Sequence, residues 1–102
     1  MHTLFYVYIA RCADKSLYVG ITKDISEREN RHNAGVGSIY TRTRRPVTIV
    51  YTEYFSTRAE AAKREKQLKG WTRAKKEHLI LFGHPNPNKK QCTYENIPQK
   101  TT

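Results

Sequence analysis

The chain has 102 residues, a length that predicts one domain built around one modest hydrophobic core. Lys and Arg number 19 against 9 Asp and Glu, and the resulting formal net charge of +10 favours a polyanionic partner such as nucleic acid. No apolar run approaches the ~20 residues of a membrane span, and the N-terminus has no secretory-signal pattern. Two cysteines are too few for a disulfide framework. We therefore expect a cytoplasmic protein without a membrane partner.

Two stretches near the N-terminus predict a β-hairpin. Residues 4–12 and 17–22 are apolar, aromatic and β-branched, as strands typically are. Residues 13–16 between them are turn-like. Cys12, within the first strand, is expected to be a small buried hydrophobic residue.

A helix and a loop are predicted next. Asp24 or Ser26 can cap a helix that runs to about Ala34 and ends at Gly35. Residues 35–46 form a loop rich in Gly and Arg. The hairpin is therefore followed by a helix and then by an irregular basic segment.

A third strand and two helices complete the predicted domain. Residues 47–55 have strand composition, and a capping box begins at Thr57, so a helix should run from there to Gly70. Thr72 can cap a further helix that ends near Gly83. The order β-β-α-β-α-α predicts an α+β fold, a small three-stranded antiparallel sheet flanked by helices. We expect residues 1–83 to form this domain and residues 84–102 to form a flexible tail.

Each strand of the hairpin has one aliphatic face and one face that carries tyrosines. Tyr6 and Tyr8 share a face of the first strand, and Tyr18 and Gly20 share a face of the second. The aliphatic faces indicate the core, and the tyrosine faces favour a surface that meets something polar. An ordinary half-exposed sheet would give the same pattern.

Arg28 and His32 lie one turn apart on the first predicted helix. Ile25 extends their stripe and should dock on the sheet, which would bring both polar side chains toward it. An arginine fork suits a phosphate group. A solvated helix face is the alternative.

Glu65 falls within the predicted inner stripe of the second long helix, which Ala61, Ala62 and Leu68 define. Carboxylates are seldom placed on a packing face unless they are paired or bind a metal. Spacing alone does not separate a metal ligand from a salt bridge.

Taken in order, these residues resemble the GIY-YIG nuclease superfamily, and most closely its small stand-alone bacterial members. The resemblance spans residues 4–82 and is carried by Tyr6-Val7-Tyr8, Tyr18-Val19-Gly20, Arg28, His32 and Glu65. Residues 37–46 are also similar to a segment of those members. Tyr6 replaces the first glycine, and valines replace both central isoleucines, at positions that are structural.

The resemblance implies a metal-dependent endonuclease that hydrolyses phosphodiester bonds. Tyr8 would be the general base, with its pKa lowered by Arg28, Lys23 and the metal. Glu65 would hold one divalent ion, Mg²⁺ or Mn²⁺, whose shell water and phosphate complete. Arg28 would also clamp the phosphate, while Tyr18 and His32 orient water or relay a proton.

Basic residues and one tyrosine are expected to contact the nucleic acid, DNA rather than RNA. They are Lys23, Tyr40, Arg42, Arg44, Arg45, Lys66, Lys69 and Arg73. Phosphate contacts set the affinity for nucleic acid and not the choice of sequence, and the chain shows no motif that reads bases. We therefore expect structure-selective or weakly sequence-selective cleavage, or a partner protein that supplies targeting.

Two other functions are alternatives to the nuclease. A non-catalytic nucleic-acid-binding module on the same fold would have no need of Glu65, a carboxylate that repels phosphate. A membrane-surface adaptor rests on charge alone.

The register of the hairpin follows from parity if Tyr8 and Tyr18 face one site. In an antiparallel pair, directly opposed residues share a face of the sheet, and their residue numbers add to a constant. Tyr8 and Tyr18 are both even-numbered, so they share a face only if that constant is even. A two-residue turn gives an odd sum. A three-residue turn at residues 13–15 pairs Cys12 with Ser16 and places Tyr8 opposite Gly20, where we expect room for water and phosphate above the hydroxyl.

Overall fold

A computed structural model describes residues 3–83 as three strands and four helices. In chain order they are β1 (Phe5–Arg11), β2 (Leu17–Thr22), α1 (Ile25–Asn33), α2 (Ile39–Arg42), β3 (Thr48–Phe55), α3 (Arg58–Lys69) and α4 (Arg73–Phe82). The predicted order is confirmed, and α2 is an additional single turn inside the predicted basic loop. Across the described residues no helix is long and apolar enough to cross a membrane. The predicted flexible tail, 84–102, lies outside them.

The sheet is antiparallel throughout, with β1 between β2 and β3. Tyr8 pairs with Gly20, so the predicted register is confirmed. The amide of Cys12 donates to the Ser16 carbonyl at 2.9 Å and closes the three-residue loop. Lys15 takes the left-handed conformation that such a loop requires, with φ of 73°.

Helices cover both faces of the sheet. Val7 and Ile9 of β1 pack against Leu68 of α3 and Leu79 of α4. On the opposite face Tyr8 is fully buried in a second cluster, which Ala10, Cys12 and Val47 complete and against which Ile25 of α1 packs. The expectation that the tyrosine face of β1 forms a surface is therefore wrong at Tyr8, because α1 closes over it.

Polar side chains of α1 fix that helix to the start of β3. Asn33 forms two hydrogen bonds with the backbone of Val47, donating at 2.8 Å and accepting at 2.6 Å. Glu29 accepts from the Ile49 amide at 2.8 Å. Asp24 caps the helix as predicted, and Gly35, with φ of 85°, follows its end. This docking holds the inner face of α1 over Tyr8.

Helix α3 packs differently from its predicted stripe. Ala61 and Leu68 are buried, but Ala62 is exposed. A buried ion pair joins α3 to β3, since Arg64 makes a forked contact of 2.8 and 2.9 Å with the carboxylate of Glu53. The hydroxyl of Tyr51 donates to the same carboxylate at 2.6 Å. These bonds satisfy a charge that would otherwise be costly to bury.

Candidate active site

A tyrosine–histidine pair lies beneath α1. The hydroxyl of Tyr8 is 2.8 Å from Nε2 of His32, and both side chains are buried. The other ring nitrogen of His32, Nδ1, is 2.9 Å from the hydroxyl of Thr41 on α2. The pair therefore connects the central strand to both short helices on this face.

The surroundings of this pair keep both groups neutral. Burial raises the pKa of Tyr8 to about 12, despite the Arg28 guanidinium, which lowers it. Burial and the charge of Arg28 lower the pKa of His32. At neutral pH only about one Tyr8 in 10⁵ is ionised, whereas the unprotonated imidazole is ready to accept a proton.

The guanidinium of Arg28 lies near the Tyr8 hydroxyl and has hydrogen-bonding capacity to spare. Its Nη1 donates to the Ile21 carbonyl at 3.4 Å. Among the described residues its Nε is buried and has no hydrogen-bond acceptor. An unpaired buried donor is unfavourable, so a bound anion would satisfy it.

An aromatic stack forms the outer wall of the site. Tyr18 lies against His32, with ring centroids 5.4 Å apart, and against Tyr8 at 6.3 Å. Tyr40 of α2 stacks on Tyr18 at 5.9 Å, and the Arg44 guanidinium lies 4.0 Å above the Tyr40 ring. Tyr18 is half-buried, so it separates Tyr8 from solvent.

Two glycines provide the space that the pair occupies. A Cβ at Gly20 would lie 2.5 Å from the Tyr8 hydroxyl, and one at Gly37 would overlap the ring of His32. The expectation that Gly20 leaves room for water and phosphate is therefore wrong, because the Tyr8 ring fills that space. Gly20 instead allows Tyr8 to lie flat across β2.

Glu65 lies close enough to this site for its charge to contribute to the raised pKa of Tyr8. Its carboxylate forms an ion pair with Lys69, one turn away, at 3.2 Å. The salt-bridge alternative is thus realised in the protein without ligands. Lys69 is more than half exposed, and such pairs contribute little, so this contact leaves Glu65 free to change partner.

The residues predicted to contact nucleic acid occupy different surroundings. Lys23 lies on the exposed surface with its ammonium 6.0 Å from the ring of Phe5. Arg42 and Arg45 line an open cavity beside α2, and Lys66 is exposed on α3.

Besides Lys69, two further predicted contacts, Arg44 and Arg73, are ion-paired. Arg44 pairs with Asp14 at 3.1 Å, and Arg73 pairs with Glu77 at 3.2 Å. Both pairs are partly exposed, so a phosphate can compete for these arginines.

Sequence reasoning missed Thr41 as part of the site. Thr41 is fully buried, although it stands in a segment that was predicted to be a loop. The available signal was Ser38, three residues earlier, which caps α2 by accepting from the Thr41 amide at 3.1 Å.

Comparison with known proteins gives one family. A model described as the GIY-YIG catalytic domain matches residues 4–78. A UPF0213 protein of Staphylococcus aureus strain Mu3 is 51% identical over 75 residues, which cover 74% of this chain and 92% of that protein.

Two solution NMR structures are also similar. The UPF0213 protein from Bacillus halodurans is 41% identical with a TM-score of 0.51, covering 85% of this chain and 94% of that one. A protein from E. faecalis is 39% identical with a TM-score of 0.54, covering 79% and 88%.

Proposed function

The chain belongs to the GIY-YIG catalytic-domain family, whose members have nuclease-type activity, and on that premise we propose that it is a metal-dependent endonuclease acting on DNA. The observation that carries the proposal is the hydrogen bond of 2.8 Å between the Tyr8 hydroxyl and Nε2 of His32. It joins a latent base to a proton acceptor, beside the cation of Arg28. A protein that only binds nucleic acid has no use for such a pair.

The pair activates water by moving two protons. Tyr8 passes its proton to Nε2 of His32 as the attacking water gives a proton to the Tyr8 oxygen. The hydroxide then bonds to phosphorus, the bond from phosphorus to the leaving nucleotide oxygen breaks, and that oxygen takes a proton from solvent. His32 returns its extra proton to the Tyr8 oxygen as Tyr8 releases one to solvent, which restores the neutral pair. His32 is needed because Tyr8, with a pKa of about 12, is rarely ionised alone.

Arg28 holds the phosphate in this scheme. Its buried Nε lacks an acceptor among the described residues, and a phosphate oxygen supplies one. The same cation lowers the pKa of Tyr8, and so favours the phenolate that water meets. Because Tyr8 is covered by the half-buried Tyr18, we expect Tyr18 to shift when substrate binds.

As a single carboxylate ligand, Glu65 suits Mg²⁺ or Mn²⁺ better than zinc. The described residues include no group of three or more His, Cys, Asp and Glu side chains able to hold an ion, which disfavours zinc. A single carboxylate suits Mg²⁺ or Mn²⁺, which keep most of their water and share phosphate oxygens. When bound, the ion would stabilise negative charge on the phosphate and on the leaving oxygen. Lys69 would give up its ion pair with Glu65.

The substrate is recognised by its backbone. The net charge of +10 and the arginines beside α2 favour phosphate contacts, and these carry no sequence information. We propose structure-selective or weakly sequence-selective cleavage of DNA, in the cytoplasm, with a partner protein as an alternative source of targeting.

A cleavage assay tests the proposed function. Labelled single-stranded, duplex and forked DNA, with RNA of the same sequences, are incubated with Mg²⁺, Mn²⁺ or chelator. We expect cleavage of DNA that requires a metal and that falls at least ~10²-fold in Glu65→Gln, because the developing charge loses its counter-ion. Glu60→Gln, an exposed change on the same helix, is the control and should cleave normally.

Other outcomes would contradict this function. Full activity in excess chelator would refute metal dependence. Tight DNA binding without cleavage of any substrate would favour the alternative, a non-catalytic binding module, for which the full burial of Tyr8 is the supporting observation.

A further inference from the structure

The hydroxyl of Thr41 is fully buried at the end of a polar chain that begins at Tyr8. Its oxygen lies 2.9 Å from Nδ1 of His32 and 3.0 Å from the hydroxyl oxygen of Ser38. It also donates to the Ser38 carbonyl oxygen at 3.3 Å. The chain runs through one imidazole, so the proton on that ring decides the direction of every bond in it.

The Tyr8 end of the chain fixes one nitrogen. Among residues 3–83, the Tyr8 hydroxyl lies 2.8 Å from Nε2 of His32, and the guanidinium of Arg28 is near enough to lower the pKa of Tyr8. A guanidinium has donors and no acceptor. The proton of Tyr8 is therefore donated to Nε2, which must be unprotonated.

The Thr41 end fixes the other nitrogen. A neutral imidazole carries one proton, which must then be on Nδ1 and point at the Thr41 oxygen. That oxygen can accept it, because the hydroxyl proton of Thr41 is directed to the Ser38 carbonyl. The Ser38 side chain, for its part, accepts from the Thr41 amide at 3.1 Å. The Ser38 hydroxyl then donates its own proton to the Thr41 oxygen at 3.0 Å, so every donor in the chain has an acceptor.

We propose that Thr41 is a positioning residue that holds His32 protonated on Nδ1, so that Nε2 is free to accept the proton of Tyr8. The catalytic consequence rests on the proposed function, whereas the tautomer itself does not. The hydrogen bond at one ring nitrogen selects the state of the other, as the buried aspartate does for the histidine of a serine-protease triad.

The two hydrogen bonds of His32 also fix which way the ring is turned. Turning it over would place carbon atoms where Nε2 now meets the Tyr8 hydroxyl and where Nδ1 meets the Thr41 hydroxyl, and both bonds would be lost. The ring is closely packed, since a Cβ at Gly37 would overlap Nδ1 and since Tyr8 and Tyr18 lie against it. The imidazole is therefore oriented with Nδ1 toward α2 and Nε2 toward the sheet.

Long-range ¹H–¹⁵N spectra of the histidine side chains of the full chain test the tautomer directly. At pH 7.5 we expect Nδ1 of His32 to resonate as a protonated nitrogen and Nε2 as an unprotonated one, with or without nuclease activity. A wild-type spectrum with the proton on Nε2 would overturn the proposal, even if the enzyme cleaves DNA. The expected spectrum from a protein that cleaves nothing would instead refute only the proposed function.

Variants at position 41 test the role of the hydroxyl. Thr41→Ser keeps it and should retain the wild-type spectrum and cleavage rate within a few-fold. Thr41→Val removes it at nearly constant shape, so we expect a mixed-tautomer spectrum and a rate roughly 10- to 100-fold lower, as for other partners that orient a functional histidine. The exposed Thr43→Val is the control and should change neither measurement.

Two results would contradict the role of Thr41. One is a folded Thr41→Val protein with the wild-type tautomer and rate. The other is a changed tautomer in Thr41→Ser, which decides the question if Thr41→Val does not fold.

Discussion

Arg28 combines two properties at the scale of a single residue. Its charge acts on both partners of the buried pair, lowering the pKa of Tyr8 and that of His32. The first effect favours the phenolate, and the second keeps the imidazole unprotonated at neutral pH, although it also makes the imidazole a weaker base. The Nε of Arg28 is buried without an acceptor among residues 3–83. In the proposed function this one cation both lowers the pKa of Tyr8 and contacts the phosphate.

Replacing Arg28 with lysine separates charge from geometry. The charge is kept, but an ammonium group cannot make the forked contact with phosphate. We expect Arg28→Lys to melt within a few degrees of wild type and to bind DNA within about threefold, while the cleavage rate falls at least ~10²-fold.

Arg31→Lys is the matched control for this substitution, because Arg31 lies on the same helix with its side chain half exposed. Melting temperature, DNA affinity and single-turnover rate are measured for both variants. Equal cleavage rates in the two would mean that Arg28 serves only as a surface charge.

At the scale of elements, the β1–β2 hairpin sets the position of the Tyr8 hydroxyl. The three-residue loop places Tyr8 opposite Gly20, and the Tyr8 ring then lies across the bare backbone of β2. Helix α1 covers that ring and supplies His32 and Arg28 from above. The Tyr8 hydroxyl is therefore held by regular secondary structure, between the sheet and helix α1, and not by a loop.

Substituting Gly20 tests this arrangement. In Gly20→Ala the new Cβ would lie 2.5 Å from the Tyr8 oxygen and 2.7 Å from the ring carbon that bears it, so Tyr8 must move away from His32. We expect a stability loss of about 1–3 kcal/mol from overpacking and a large loss of cleavage. Chemical denaturation and the cleavage assay measure the two effects.

Gly70→Ala is the control, since a Cβ there meets nothing nearer than 3.5 Å and φ is −84°. It should raise stability by about 0.4–1 kcal/mol by restricting the unfolded chain. A Gly20→Ala protein as stable and as active as Gly70→Ala would contradict the packing of Tyr8 on Gly20.

At the scale of the whole molecule, the net charge of +10 dominates the encounter with nucleic acid. Several of the arginines and lysines concerned are already ion-paired, among them Arg44, Lys69 and Arg73. Because these pairs are partly exposed, their exchange for phosphate contacts costs little. The domain can therefore bind a phosphate backbone without rearranging its core.

The salt dependence of DNA affinity measures how many phosphate contacts the protein makes, which is its electrostatic footprint. Six phosphate contacts on duplex DNA would give a slope of roughly −5 in log affinity against log salt. Arg42→Ala should reduce the magnitude of that slope by about one, because Arg42 is exposed and lines the open cavity beside α2. Fluorescence anisotropy in Mg²⁺-free buffer avoids cleavage.

Arg58→Ala is the control for the slope, because Arg58 is exposed on α3 and was not among the predicted contacts. An affinity that does not change between low and high salt would refute the electrostatic footprint. Equal slopes for the two variants would remove Arg42 from it.

Local chemistry in the sequence determined most of the secondary structure. The period-two pattern gave the strands, and the caps at Asp24, Thr57 and Thr72 gave the starts of α1, α3 and α4. The register of the hairpin was predicted from the parity of residue numbers together with the premise that Tyr8 and Tyr18 face one site, and it is confirmed. These features depend on neighbours within a few positions, which a sequence displays directly.

Only the tertiary structure decided what each polar side chain contacts. Tyr8 and His32 are 24 positions apart, and Glu53 and Arg64 are 11 apart, so no local period relates them. The burial of Tyr8 follows from α1 docking through Asn33, a contact that composition does not encode. The resemblance that these residues carry predicted the family, which is confirmed, and it implied a set of site residues whose roles remain predictions. The hydrogen-bond chain from Tyr8 to α2 required the fold, because the free energy of burying a polar group depends on the partner that packing brings to it.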